Sequence, residues 1–131
     1  MFADASALSA MLLKEADEAL LAARMEVHAV RITSPMAVWE TVLAVSRGHN
    51  IPVAVAADRV ETYLKLAGVQ VQAMPAEVRH LAIQAHARFG KGRHSAALNF
   101  GDCFAYACAR HAGMPLLYKG DDFSQTDIEA A

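Results

Sequence analysis

Short apolar, strand-like segments alternate with longer helical ones along this chain, and that alternation limits the fold more than any other feature. Met1-Phe2-Ala3 reads as a buried strand, turned by Asp4-Ala5-Ser6 into a helix from about Ala7 to Leu13. A second helix is expected from about Glu15 to Val27, with Ala16, Ala19, Leu20 and Ala23 as its apolar stripe. Arg31-Ile32-Thr33 is a candidate strand, and Ser34-Pro35 is a helix start, with serine as N-cap and proline in the first turn. That helix should end near Gly48-His49-Asn50, with Trp39 in the core on a face continued by Val42, Leu43 and Ser46. Pro52 opens a helix to Ala67, stopped by Gly68, and Val69 to Ala73 alternates with the period of a strand. Pro75 begins a helix ending at Gly90, Asn99 caps another that runs to Ala112, and Met114 to Tyr118 is an apolar strand. Asp127-Ile128 is placed at the start of a short edge strand.

This order implies an α/β fold, a parallel sheet of four or five strands with helices on both faces. At 131 residues the chain is read as one domain, 1–131, and its 55% hydrophobic content suits a sheet covered on both sides. No uncharged apolar run has the length of a membrane span, and Asp4 with no basic segment before it argues against a signal peptide. Cys103 and Cys108 lie five apart in one predicted helix, too poorly aligned for a disulfide, which fits a reduced, cytoplasmic protein. A formal net charge of −2 does not by itself advertise nucleic-acid binding.

In parallel sheets, sites form at the carboxyl ends of the strands. Acidic residues sit at those joints here. Asp4 follows the first strand, and Glu40 lies in the helix that Ser34-Pro35 opens. Asp102 stands in the first turn of the helix capped by Asn99, and Asp121-Asp122 follow the last apolar strand. Carboxylates gathered from distant segments are what a Mg²⁺ or Mn²⁺ site requires.

Each acid also has a plain structural explanation. Asp4 can act as a helix cap, Asp102 can support a helix start three residues after Asn99, and Asp121-Asp122 can form a solvated turn. Glu40 is too deep in its helix to cap it, and a lone glutamate is normally solvent-facing. One shared site accounts for all four at once. Beside the acids, Arg88, Lys91, Arg93 and His94 fall close together, and Lys119 precedes the last acidic pair, offering a basic rim for phosphates. The alternative for this loop is a solvated helix C-terminus.

The residues that carry these signals resemble the PIN domain. They are Asp4-Ala5-Ser6-Ala7, Trp39-Glu40, the Lys91 to His94 loop with Leu98 to Tyr106, and Pro115 to Phe123 with Thr126-Asp127-Ile128. More narrowly they resemble the VapC ribonuclease toxins of prokaryotic toxin–antitoxin pairs, over nearly the whole chain. The resemblance implies a three-layer α/β/α fold and metal-dependent cleavage of RNA through Mg²⁺, with Mn²⁺ as substitute. By position, Asp4, Glu40 and Asp102 match the three main acidic residues of the family. Many relatives carry a fourth acid where this chain has Gly120; Asp122 is preferred for that role, with Asp121 as the adjacent candidate. Ser6 matches a hydroxyl residue beside the metal, and Ser6, Lys91, Arg93 and Lys119 are the expected substrate contacts. The resemblance also implies a homodimer and a VapB-like antitoxin laid over the active-site groove. The competing functional class is a non-catalytic PIN-fold interaction module.

Overall fold

Strand geometry sends successive side chains to opposite faces of a sheet, and the first three residues show the consequence. The computed structural model describes residues 1–131. Its first strand, β1 (Phe2–Ala3), points Phe2 into one core and, with Met1, Ala3 into another. Four parallel strands form the sheet in the order β3-β2-β1-β4, where β2 is Arg31–Thr33, β3 is Val69–Val71 and β4 is Leu116–Leu117. β4 repeats the split: Leu116 joins Phe2 and Leu117 joins Ala3. Both leucines and Phe2 are almost completely buried. Each such side chain stabilises the fold by about 1.5–3 kcal/mol. The expected edge strand survives as one parallel bridge, Leu116 to Ala130, two residues beyond Ile128.

Helices cover both faces, giving three α/β/α layers. On the Ala3 side lie α1 (Ala5–Leu12), α2 (Glu18–Glu26), α3 (Pro35–His49) and α4 (Val53–Leu66). On the Phe2 side lie α5 (Val78–Phe89) and α6 (Phe100–Ala112). Local signals set the boundaries. The Ser34 hydroxyl accepts from the Ala37 amide at 3.1 Å to cap α3, and Asn50 closes that helix in the left-handed region. Gly113 closes α6 with φ of 63°, a conformation that suits glycine. Cys103 and Cys108 are free and buried. No helix is long and apolar enough to cross a membrane.

Two packing expectations need correction. The buried face of α2 is Leu21 and Met25, whereas Ala16, Ala19, Leu20 and Ala23 all face solvent. Two stripes of helical spacing compete in this segment, and the one with the bulkier side chains is buried. Trp39 is not core: it is 62% exposed. The buried face of α3 is Ala37, Thr41, Val42 and Val45. A step of two residues is about 200° around a helix, which puts Trp39 opposite Ala37 and Thr41. Thr41 is tolerated inside because its hydroxyl donates to the Ala37 carbonyl at 2.7 Å.

Candidate active site

The carboxyl ends of β1 and β4 are tied together, and the first acid sits at the knot. The Asp4 amide donates to the Leu117 carbonyl at 2.9 Å. Asp4 is the N-cap of α1, and its Oδ2 accepts from the Ser6 amide at 2.9 Å and from the Ser6 hydroxyl. Ser6 Oγ in turn accepts from the Lys119 amide at 3.0 Å, so one hydroxyl fixes the carboxylate and the chain leaving β4. Asp4 is 4% exposed. Burial raises its pKa, against the lowering pull of the Ser6 hydroxyl and amide.

Asp102 is held by a reciprocal capping box. The Asn99 side chain accepts from the Asp102 amide at 3.0 Å, and Asp102 Oδ2 accepts from the Asn99 amide at 2.8 Å. The cap explains the local position of Asp102 and leaves its other carboxylate oxygen free of protein donors. Its pKa is pushed up to about 6, first by burial and then by the charges of Asp4 and Asp122, despite the Asn99 amide.

Glu40 reaches across from α3 to the first turn of α6, where Gly101 makes room for it. A Cβ at Gly101 would lie 2.3 Å from Glu40 Oε1 and 2.8 Å from Oε2. The Glu40 pKa is raised by burial, then by Asp4 and by Asp102. Asp122 is exposed at the head of a 3₁₀ turn, Phe123–Gln125, and makes no capping bond. It acts on Asp102, whereas Asp121 is not among the charges acting on Glu40 or Asp102. The geometry therefore brings Asp4, Glu40, Asp102 and Asp122 into one electrostatic neighbourhood from four separate segments.

No three of these side chains close on a single point as a finished ligand set. That is compatible with Mg²⁺, which keeps several waters and takes only one or two carboxylates directly. The donors are all hard oxygens, the class that Mg²⁺ and Mn²⁺ prefer. Nor is the cluster neutralised from within. The ion pairs of the fold engage Arg88 with Asp127, and Lys119 with Glu15 and Asp17. Uncompensated carboxylates, three of which (Asp4, Glu40 and Asp102) have raised pKa values, fit a divalent cation.

The basic residues divide. The Lys119 ammonium is committed to Glu15, with Asp17 at 3.8 Å, so its backbone serves the site more directly than its charge. Lys91 and Arg93 are exposed and unpaired. A backbone bridge between Gly90 and Leu98 folds their loop back to the start of α6. Lys91 thereby lines a cleft of about 680 Å³ with Asn99 and Phe100, and Arg93 lies outside it.

Sequence reasoning missed two features of the site. Gly101 carries no signal in one sequence that distinguishes it from a helix-start glycine. Trp39 had a signal: the spacing of Ala37, Thr41 and Val45 marks the buried side of α3 and excludes it.

The PIN domain family model matches residues 1–129. Ribonuclease VapC30 of Mycobacterium tuberculosis is 39% identical over 98% of this chain and 95% of its own length. Ribonuclease VapC of Mycolicibacterium smegmatis is 38% identical over 99% of this chain and 98% of its own. Among solved structures, Mycobacterium tuberculosis VapC20, described as a sarcin-ricin loop cleaving toxin, superposes with a TM-score of 0.74. It covers 99% of this chain and 97% of its own at 21% identity, a likeness that speaks for the fold alone.

Proposed function

Because the chain belongs to the PIN domain family, and within it to the VapC ribonucleases, we propose that it is a metal-dependent endoribonuclease. It acts as the toxin of a toxin–antitoxin pair restrained by a VapB-like antitoxin. The observation that carries the reading is the acid cluster. Four carboxylates from separate elements share one neighbourhood, with Asp4 and Asp102 acting on Glu40 and Asp4 and Asp122 acting on Asp102, and no ion pair of the fold neutralises them. Such a cluster repels a phosphodiester unless a cation intervenes.

Asp4, Glu40, Asp102 and Asp122 would hold Mg²⁺ or Mn²⁺. The chemistry supplied there is Lewis-acidic: positive charge facing the phosphate oxygens and activation of water for attack. The protein contributes orientation. Ser6 fixes Asp4, the capping box fixes Asp102, and Gly101 lets Glu40 approach. At neutral pH an Asp102 carboxyl with a pKa of about 6 is mostly ionised, as a metal ligand must be. Lys91 and Arg93, free of ion pairs, attract the RNA backbone from one side.

The test is cleavage of RNA by purified protein with Mg²⁺ or Mn²⁺ and with chelator. Cleavage should require the ion, and Asp102→Asn should abolish it almost completely. Undiminished cleavage in chelator would exclude the metal role. A variant as fast as the parent would exclude Asp102 from the site.

A further inference from the structure

A second cleft, about 490 Å³ in volume, opens beside the acids on the Ala3 side of the sheet. Its walls include Ser6, Glu40, Trp39, Leu43, Arg47 and Lys119. Glu40 lines the cleft and Ser6 holds Asp4, so the cleft borders the acid cluster. Along α3, residues 39, 43 and 47 recur every four positions and share one face, spanning about 12 Å. That face carries an exposed indole, a half-buried leucine and an exposed guanidinium. Arg47 takes part in none of the ion pairs of the fold. Trp39 is the only tryptophan of the chain, and it stands on the solvent side of α3 at 62% exposure.

We propose that this cleft is a nucleotide subsite next to the scissile phosphate, in which Trp39 stacks on an unpaired RNA base and Arg47 contacts a phosphate. The inference rests on the ribonuclease reading. A single-stranded RNA alternates planar π faces with anionic phosphates, and aromatic rings interleaved with cations are the complementary surface. The cleft presents these groups in a usable order: acids at one end, an aromatic platform beside them, and a free cation farther along the helix. With a formal net charge of −2, attraction of the phosphate chain must come from local cations such as Arg47. Base stacking tolerates any base identity, so the subsite selects unpaired RNA over duplex rather than one base over another.

A single tryptophan makes the test direct. In the Asp102→Asn background, titration with a short unstructured RNA oligonucleotide should quench Trp39 emission, and the quench should weaken with added salt. Trp39→Ala and Arg47→Ala should each weaken binding, measured by anisotropy of labelled RNA, by about tenfold for the lost stack and less for the lost cation. With Asp102 intact, Trp39→Ala should raise KM with kcat nearly unchanged, and Trp39→Phe should restore much of the loss. Both side chains are exposed, so the variants should fold as the parent does, which circular dichroism checks. RNA binding that leaves Trp39 emission unchanged and survives Trp39→Ala at full strength would overturn the proposal while leaving the nuclease reading intact. Quenching by an added antitoxin but not by RNA would also overturn it, assigning the cleft to a protein partner. Quenching by RNA from a parent protein that cuts no RNA would uphold the subsite and refute the nuclease.

Discussion

At the scale of single residues, the acids trade stability for a site. Asp102 shows the exchange most clearly. Its capping box is worth about 0.5–2 kcal/mol to the start of α6. The same carboxyl is pushed up to about 6 by burial and by Asp4 and Asp122. A carboxyl whose folded pKa lies above its unfolded value favours folding only when protonated. Its contribution is complete below the unfolded value near 4 and is lost as pH rises through about 6. The upward shifts of Asp4 and Glu40 act in the same direction. Metal-free protein should therefore melt at a higher temperature near pH 5 than near pH 7.5. Asp102→Asn keeps an acceptor for the Asn99 amide while removing the charge, so it should flatten this dependence and melt no lower than the parent at pH 7.5. His28 and the N-terminal amine, whose pKa values are lowered, act in the opposite direction, so the variant comparison is decisive: a pH dependence that Asp102→Asn leaves unchanged in chelator would show that Asp102 is not electrostatically strained.

At the scale of elements, the site depends on how closely α3 and α6 approach. Glu40 occupies the space that a Cβ on Gly101 would fill. Gly101→Ala should push the Glu40 carboxylate away, cutting RNA cleavage strongly and shrinking the rise in melting temperature that Mg²⁺ or Mn²⁺ produces by mass action. The α6 cap and its partners are untouched, so the metal-free fold should persist. A variant with the parent's metal-induced shift would mean that Glu40 has room to move without consequence. This contact was not legible in the sequence, because it joins elements about 60 residues apart and leaves no local pattern. What was legible had local causes. Ser34-Pro35 and Asn99 announced helix starts through side-chain capping. The strand–helix alternation implied a parallel sheet, and a parallel sheet placed the acids at one edge. The α2 stripe and Trp39 follow helical phase rather than residue type: Leu21 with Met25, and Ala37 with Thr41, mark the buried sides.

At the scale of the whole molecule, the exposed apolar surface and the acid cluster both call for partners. Val55 and Leu66 of α4 line one surface cleft with Leu12 and Val45, and Leu66 is 84% exposed; contiguous apolar patches mark interfaces. A homodimer through this helix is the expectation, and light scattering should find a dimer that Leu66→Glu converts to monomer; a parent that stays monomeric at high concentration would end it. The acid cluster suggests the chemistry of inhibition. An arginine presents a planar fork of donors that pairs with two carboxylate oxygens at once, and Asp102 keeps one carboxylate oxygen without a protein donor. An antitoxin arginine entering the cluster would neutralise the same charges that a divalent ion would, so inhibitor and ion should compete. Antitoxin affinity should then fall as Mg²⁺ or Mn²⁺ is raised, and by more than added monovalent salt explains. Replacing that arginine by alanine should weaken inhibition, and Asp102→Asn in this chain should weaken antitoxin binding in calorimetry. Affinity that ignores both the ion and the Asp102 substitution would place the inhibitory contact elsewhere on the molecule, while the cleavage experiments would still decide the nuclease reading on their own terms.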